Sequence, residues 1–332
     1  MLTIDFCFDN ICSRNNKRGE ESRMIYTVTL NPALDKTATV PRFALDAVNR
    51  ITDLREDPGG KGINVSKVIA KLGGRSRALA LLGGSVGEKI SSLLATGGID
   101  VWAFAASGET RTNLKVVDPE LDTHTDINEP GPEATVAQLD AMLGELTGAV
   151  ERGDIVVLSG SLPKGAPVGT YGAWARACSG AGAKVFLDAD GAALSKGLEA
   201  RPYLAKPNDA ELSRICGRAL ADEGEIAAEA RALVEGGVGR VVVSLGGAGA
   251  LIADGEHVLL ARSPKVPVGS TVGAGDSVVA ALAYAEERGM GLEDTARLAM
   301  ATGAANVMQS GTQAAERELV DSLLDKVSIE AL

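Results

Sequence analysis

What most constrains this chain is an alternation of two hydrophobic periods. Short, β-rich apolar runs recur at residues 26–30, 78–82, 155–158, 185–187, 203–205 and 241–245. Between them lie stripes at helical spacing: Ile63, Val65, Val68, Ile69 and Leu72; Val136, Leu139, Met142 and Leu146; Ile226, Ala230, Leu233 and Val234. Strands that are apolar at nearly every residue need cover on both faces, and strands separated by helices pair in parallel. The expected fold is α/β, in three α/β/α layers around a mostly parallel central sheet. Two stretches break the rhythm. Residues 36–57 and 109–128 carry alternating, Thr-rich patterns (Thr110, Thr112, Leu114, Val116) with no helix of their own. They predict a small antiparallel β-sheet inserted in the α/β body as a lid over a site. From Gly273 to about Val327 the pattern is helical.

Composition narrows the function. A net charge of −11 disfavours nucleic acid as a partner. No apolar run reaches the ~18 residues of a membrane helix, so no membrane partner is expected either. Only two histidines occur, and the four cysteines form no Cys-x-x-Cys, which leaves zinc or histidine catalysis unsupported. A reducing, cytoplasmic compartment is the expectation. Residues 1–23 lack the pattern of a secretory signal, and 15–23 are polar and charged. They read as a disordered extension, with the folded domain, residues 24–332, opening at Met24.

The chain also holds 40 glycines, above the usual share. Several cluster at the carboxyl ends of the predicted strands, the edge where open α/β sheets bind ligands. Pro58-Gly59-Gly60-Lys61-Gly62-Ile63-Asn64 opens a helix; it reads as an anion site or as a plain loop-to-helix turn. Ser159-Gly160-Ser161-Leu162-Pro163 follows a buried strand, as an ordinary turn also would. Lys206-Pro207-Asn208-Asp209-Ala210-Glu211 sets an amide and a carboxylate three residues apart. That suits a hydrated Mg²⁺ and equally suits a capping box. Ser244-Leu245-Gly246-Gly247-Ala248-Gly249 fails the G-x-G-x-x-G dinucleotide pattern and fits a hairpin turn. Ser270-Thr271-Val272-Gly273-Ala274-Gly275-Asp276-Ser277 says most. Its Gly-Ala-Gly turn at a helix start points amides at an anion, and Asp276 would stand beside it as a base or, more plainly, as a cap. The P-loop is absent, because Lys61 is followed by Gly62.

In this order and spacing, together with Asn31-Pro32-Ala33-Leu34-Asp35, these motifs resemble the PfkB/ribokinase family of carbohydrate kinases, in its phosphosugar branch. The resemblance runs from Met24 to about Val327. It implies a ribokinase-like fold and ATP-dependent phosphorylation of fructose 1-phosphate to fructose 1,6-bisphosphate. Tagatose 6-phosphate and fructose 6-phosphate are the alternative acceptors, and a non-catalytic sugar-phosphate-binding regulator is the alternative class. Residues 126–132 resemble the loop of the members that use fructose 1-phosphate, and Lys61 in place of a glycine speaks against fructose 6-phosphate. By the same resemblance Asp276 is the catalytic base, and Gly273, Ala274 and Gly275 form the anion hole. Lys206, Asn208, Ser244, Gly246, Gly247, Gly249, Thr271, Gly275 and Asn306 meet ATP. Asp35, Gly59, Gly60, Lys61, Asn64, Ser159 and Asp276 hold the sugar, and Arg111 grips its phosphate, with Lys115 and Arg50 as looser candidates. Asn208 and Glu211 organise Mg²⁺ through water. A homodimer through the lid is also implied.

Overall fold

A computed structural model of the protein describes residues 23–309 and 311–332. The expected extension lies almost wholly outside the described residues. In chain order the elements are β1 (Ile25–Thr29), β2 (Ala33–Thr39), β3 (Asp53–Gly59), α1 (Lys61–Lys71), β4 (Ser76–Leu82), α2 (Gly84–Thr96), β5 (Asp100–Ala105), β6 (Arg111–Asp118) and β7 (Thr123–Asn128). There follow α3 (Val136–Ala149), β8 (Ile155–Ser159), α4 (Thr170–Gly180), β9 (Lys184–Asp188), α5 (Gly191–Leu198), β10 (Leu204–Ala205), α6 (Asp209–Cys216), α7 (Glu223–Glu235) and β11 (Arg240–Ser244). The chain closes with β12 (Ala250–Ala253), β13 (Val258–Arg262), α8 (Ala274–Glu287), α9 (Leu292–Val307), α10 (Arg317–Asp321) and β14 (Ser328–Ala331).

Ten strands form one sheet in the order β14-β13-β12-β11-β10-β9-β8-β1-β4-β5. It is parallel from β5 to β11 and antiparallel beyond. Period-two alternation divides its side chains between two cores. Val28, Val156, Leu158, Val185, Leu187, Val241 and Val243 join Met142, Tyr171, Trp174 and Leu212 from α3, α4 and α6. Ile25, Ile155, Val157, Phe186 and Val242 turn the other way, onto Val65, Ile69, Val279 and Ala299 from α1, α8 and α9. This is the three-layer, mostly parallel arrangement that the alternation predicted. The helical reading of the C-terminal stretch holds for α8, α9 and α10, but the chain returns to the sheet as β14.

The second sheet has the order β3-β2-β6-β7. Its outer pairs are antiparallel, as expected, whereas β2 and β6 pair in parallel, so the lid sheet is mixed. The reason is topological. β4, α2 and β5 intervene between β3 and β6, so β6 enters from the main sheet in the same direction as β2. Cross-strand register puts Asp35, Asn113 and Asn128 in one row and Thr37, Lys115 and Asp126 in the next, on one face. The opposite face carries Leu34, Ala38, Leu54, Leu114, Val116 and Ile127.

Candidate active site

The strand order reverses at β1, whose neighbours are β8 on one side and β4 on the other. In open α/β sheets this switch point leaves a crevice at the carboxyl edge. A cavity of about 550 Å³ opens there, between the main sheet and the polar face of the lid. Asn31, Ser159, Asp188, Lys206 and Ser244 reach it from strand ends of the main sheet. Asp35, Arg111, Asn113 and Lys115 reach it from the lid. Buried polar atoms without a partner are rare in proteins. Among the described residues Thr29 Oγ1, Asn31 Oδ1, Asn64 Oδ1, Asn113 Oδ1, Ser159 Oγ, Asp188 Oδ2 and Thr312 Oγ1 are such atoms, and all belong to residues lining this cavity. The site is built for a ligand rich in hydrogen-bonding groups.

Its deep end is the start of α8. Gly273 caps the helix at φ 79°, the left-handed region open to glycine. The amides of Gly275 and Asp276 have no acceptor within the described chain and are available to an anion. Asp276 follows in the first turn, buried, and accepts a hydrogen bond of 2.8 Å from Asn64 Nδ2. Burial raises its pKa and Asp188 adds to the rise, against Asn64, Lys61 and Lys206, leaving it pushed up to about 6. A carboxylate so poised is ionised at neutral pH and still basic enough to take a proton.

Two lysines surround a buried aspartate at this end. Asp188 sits 3.3 Å from Lys206 Nζ and 3.6 Å from Lys61 Nζ. Burial alone would raise the Asp188 pKa, but the two ammonium groups hold it below the ordinary value. Burial opposes the charge on Lys61, yet Asp188, Asp190 and Asp276 override it and raise its pKa. A Cβ on Gly275 would lie 3.5 Å from Lys206 Nζ, so the ammonium stands directly against the start of α8. One residue missed by sequence reasoning was Asp188. Its signal was a carboxylate ending the buried run Val185-Phe186-Leu187.

Asn208 and Glu211 make both bonds of a capping box: Glu211 N donates to Asn208 Oδ1 at 2.7 Å, and Asn208 N to Glu211 Oε2 at 2.9 Å. Both also line the cavity. Cap and ligand site are therefore compatible: among the described residues one oxygen of Glu211 has no hydrogen-bond partner, and Asn208 Oδ1 keeps a second lone pair. Among the described residues no cluster of three or more His, Cys, Asp or Glu could enclose a metal by itself.

At the lid end, Arg111 is fixed by three carbonyls, donating to Asn31 O, Pro32 O and Glu129 O at 3.0, 3.3 and 3.1 Å. Asn113 Nδ2 donates to Asp35 at 2.9 Å. A Cβ on Gly59 would collide with the Asp35 carboxylate, so only glycine fits behind it. Asn31 and Asn113 were not singled out in advance, since asparagines in turns and strands carry no distinctive signal.

Not every predicted residue reaches the cavity wall. Gly59 lies behind Asp35, and Asn306 lies behind Gly273, its Nδ2 3.4 Å from where a Cβ would stand. Gly246, Gly247 and Gly249 form the β11–β12 hairpin turn beside Ser244, and a Cβ on Gly249 would collide with Ala261 O. That turn requires glycine whether or not a nucleotide binds. Ala274, Thr271 and Arg50 are also outside the wall, which Val272 lines beside Gly273.

Comparison with known proteins agrees with this geometry. The model of the pfkB family carbohydrate kinases matches residues 28–319. The chain is 41% identical to 1-phosphofructokinase of Rhodobacter capsulatus over 309 residues, covering 93% of this chain and 98% of the relative. It is 38% identical to 1-phosphofructokinase of Bacillus subtilis over 311 residues, covering 93% and 100%. Phosphofructokinase-2 of Escherichia coli superimposes with a TM-score of 0.88 at 34% identity, covering 92% and 99%. A buried carboxylate at a glycine-capped helix, set in a fold and sequence shared along nearly the whole chain, places this protein in the pfkB family of carbohydrate kinases.

Proposed function

We propose that the protein transfers the γ-phosphoryl of ATP to the free primary hydroxyl of fructose 1-phosphate, giving fructose 1,6-bisphosphate and ADP. The observation that carries this is the row of unpartnered buried polar atoms between Asp276 and the lid, with cations at both ends. A sugar carries enough hydroxyls to satisfy that row. Asp35, Asn64, Ser159 and the Gly60 backbone would hold them, and Arg111, already oriented by three carbonyls, would face the acceptor's own phosphate, with Lys115 nearby. The name 1-phosphofructokinase of the relatives favours the 1-phosphate.

The chemistry follows from the deep end. Asp276 takes the hydroxyl proton as the oxygen bonds to the γ-phosphorus and the bond to the ADP oxygen breaks. The Gly275 and Asp276 amides and Lys206 stabilise the charge that spreads over the transferring group. Ser244 and the Gly246–Gly249 turn, with Thr271 and Asn306, form the flank on which the nucleotide would lie. Mg²⁺ is reluctant to shed water, and Asn208 and the free Glu211 oxygen suit it through water. When bound it supplies charge neutralisation on the phosphates. The aspartate–lysine cluster solves the problem posed by the chain's net charge of −11: anions are drawn by local cations and helix amides in an acidic protein.

A second reading is favoured by one observation. Phosphofructokinase-2 of Escherichia coli in complex with fructose-6-phosphate superimposes with a TM-score of 0.86 at 33% identity. Fructose 6-phosphate is therefore the competing acceptor, with tagatose 6-phosphate the other that the sequence resemblance allows. A coupled ADP-release assay across fructose 1-phosphate, fructose 6-phosphate, tagatose 6-phosphate and unphosphorylated fructose decides. The highest kcat/KM is expected with fructose 1-phosphate. A preference for unphosphorylated fructose, or no turnover at all, would overturn the assignment. We further propose that two copies pair through the apolar face of the lid, where Leu54 and Ile127 are about half exposed.

A further inference from the structure

Beneath the cavity, outside its wall, α1 carries a lysine that the reaction described above does not use. Lys67 Nζ donates to two carbonyls, Pro58 O at 3.1 Å and Thr312 O at 2.8 Å. The acceptors belong to different parts of the site. Pro58 lies in β3, one residue before Gly59, whose backbone abuts the Asp35 carboxylate. Thr312 lines the cavity on the loop after α9. Asn64, three residues before Lys67 on the same helix face, donates to Asp276. One face of α1 therefore touches the base, the root of the lid and the far loop.

We infer that Lys67 is a positioning residue for the acceptor: it ties the lid root at Pro58 to the cavity loop at Thr312 and thereby sets Asp35 against the acceptor's hydroxyls. The inference rests on the phosphosugar-kinase reading. A neutral donor could make the same two bonds, so the charge needs its own explanation, and the surroundings provide one. Burial lowers the Lys67 pKa, Asp57, Asp35 and Asp276 oppose that, and Arg55 works with burial. Seen from the partner, burial raises the Asp35 pKa and Asp57 adds to it, while the Asn113 bond, Lys67 and Arg111 pull it down. Lys67 is thus one of two cations keeping Asp35 able to accept from a hydroxyl.

The test compares the intact wild-type enzyme with K67M and K67R, and with K71M as a control one turn along the helix, where Lys71 pairs with Glu316 at the surface. K67M should raise the acceptor KM about 10-fold, the scale of one lost charge-assisted hydrogen bond, with the ATP KM within about 2-fold of wild type. The acid limb of kcat/KM for the acceptor should move to higher pH, because Lys67 is a cation facing both Asp35 and Asp276. K67R keeps the charge and two donors and should recover most of both effects, and K71M should show neither. Equal changes in the two KM values, an unmoved acid limb, or a K67R as impaired as K67M would overturn the inference. If K67M does not fold, K67R decides: an acceptor KM and acid limb near wild type support the role, and loss of both refutes it. Wild-type enzyme inactive on every phosphosugar would instead bring down the functional reading on which this one stands.

Discussion

The two ends of the cavity are built on different principles. At the deep end, buried charges touch: Asp188 meets Lys206, with the partly exposed Lys61 beside them, and Asp276 is held by Asn64. Strand ends of the main sheet and the start of α8 hold them, and both are packed into the cores. At the lid end, ion pairs are lateral and partly exposed, as in Lys36–Glu56 at 3.3 Å and Lys115–Asp126 at 3.6 Å. The lid's own core is small, with Ala38, Val40 and Val116 at its centre. The contrast suggests a division of labour. Chemistry needs fixed, desolvated charges, whereas recognition can be carried by a thin sheet whose polar face meets the ligand. Exposed pairs there contribute little to stability, about 0–1 kcal/mol each.

That division can be broken from either end. The largest effect is expected for Asp276→Asn, which should lower kcat by ~10²–10⁴ with the fold retained, the scale of losing a general base. Turnover near wild type would remove Asp276 from the role. Next, Arg111→Ala should raise KM for the phosphosugar by about 10–10², through loss of charged hydrogen bonds, and leave the ATP KM nearly unchanged. Equal rises in both would place Arg111 in the scaffold instead. The pH profile sharpens the deep end further. Asp276 must be ionised to accept a proton, so kcat/KM should fall about tenfold per unit below pH about 6, whereas a profile flat from pH 5 to 8 would argue against it.

Stability gives a smaller signal of the opposite sign. The folded-state pKa of Asp276 is raised above its unfolded value of 3.8, so its ionisation costs stability. The cost is complete above pH 6 and disappears as pH falls from 6 to 4. Asp276→Asn should therefore be more stable than wild type at pH 8, by on the order of 3 kcal/mol, and lose that advantage near pH 4. Thermal melts at the two pH values check this. The smallest effect on the fold is expected at the lid's outer face. Ile127→Asp should change unfolding free energy by less than about 0.5 kcal/mol, as an exposed site does, yet shift the protein toward monomer in sedimentation. An unchanged sedimentation profile would exclude that face as the dimer contact.

Much of the scaffold was legible because the two periods are strong. β1, β4, β8, β9, β10 and β11, with α1, α3, α6 and α7, follow from strands buried at nearly every residue and from helical stripes, whereas α2, α4 and α5 were not read. β5, β12, β13 and β14 were not read. β5 is an edge strand with exposed residues, and β14 is four residues long with only Ile329 partly buried. Helices α8 and α9 dominate the pattern just before it. In the site, glycines before helices and the Asp276 turn were visible because backbone conformation demands particular residues there. Asp188, Asn31, Asn113 and Lys67 were not, since their neighbours in space are distant in sequence.

The sequence alone determined the layer architecture, the lid insertion and the positions of the glycine turns before helices, because hydrophobic period and glycine placement are local constraints. Only the tertiary structure decided which polar residues share one cavity. It gave the lid a parallel central pair and raised Asp276 to about 6. It also separated the glycines that line the cavity, such as Gly60 and Gly275, from those outside its wall, such as Gly249. These outcomes depend on burial and on charges brought together from far along the chain, and no local pattern encodes either.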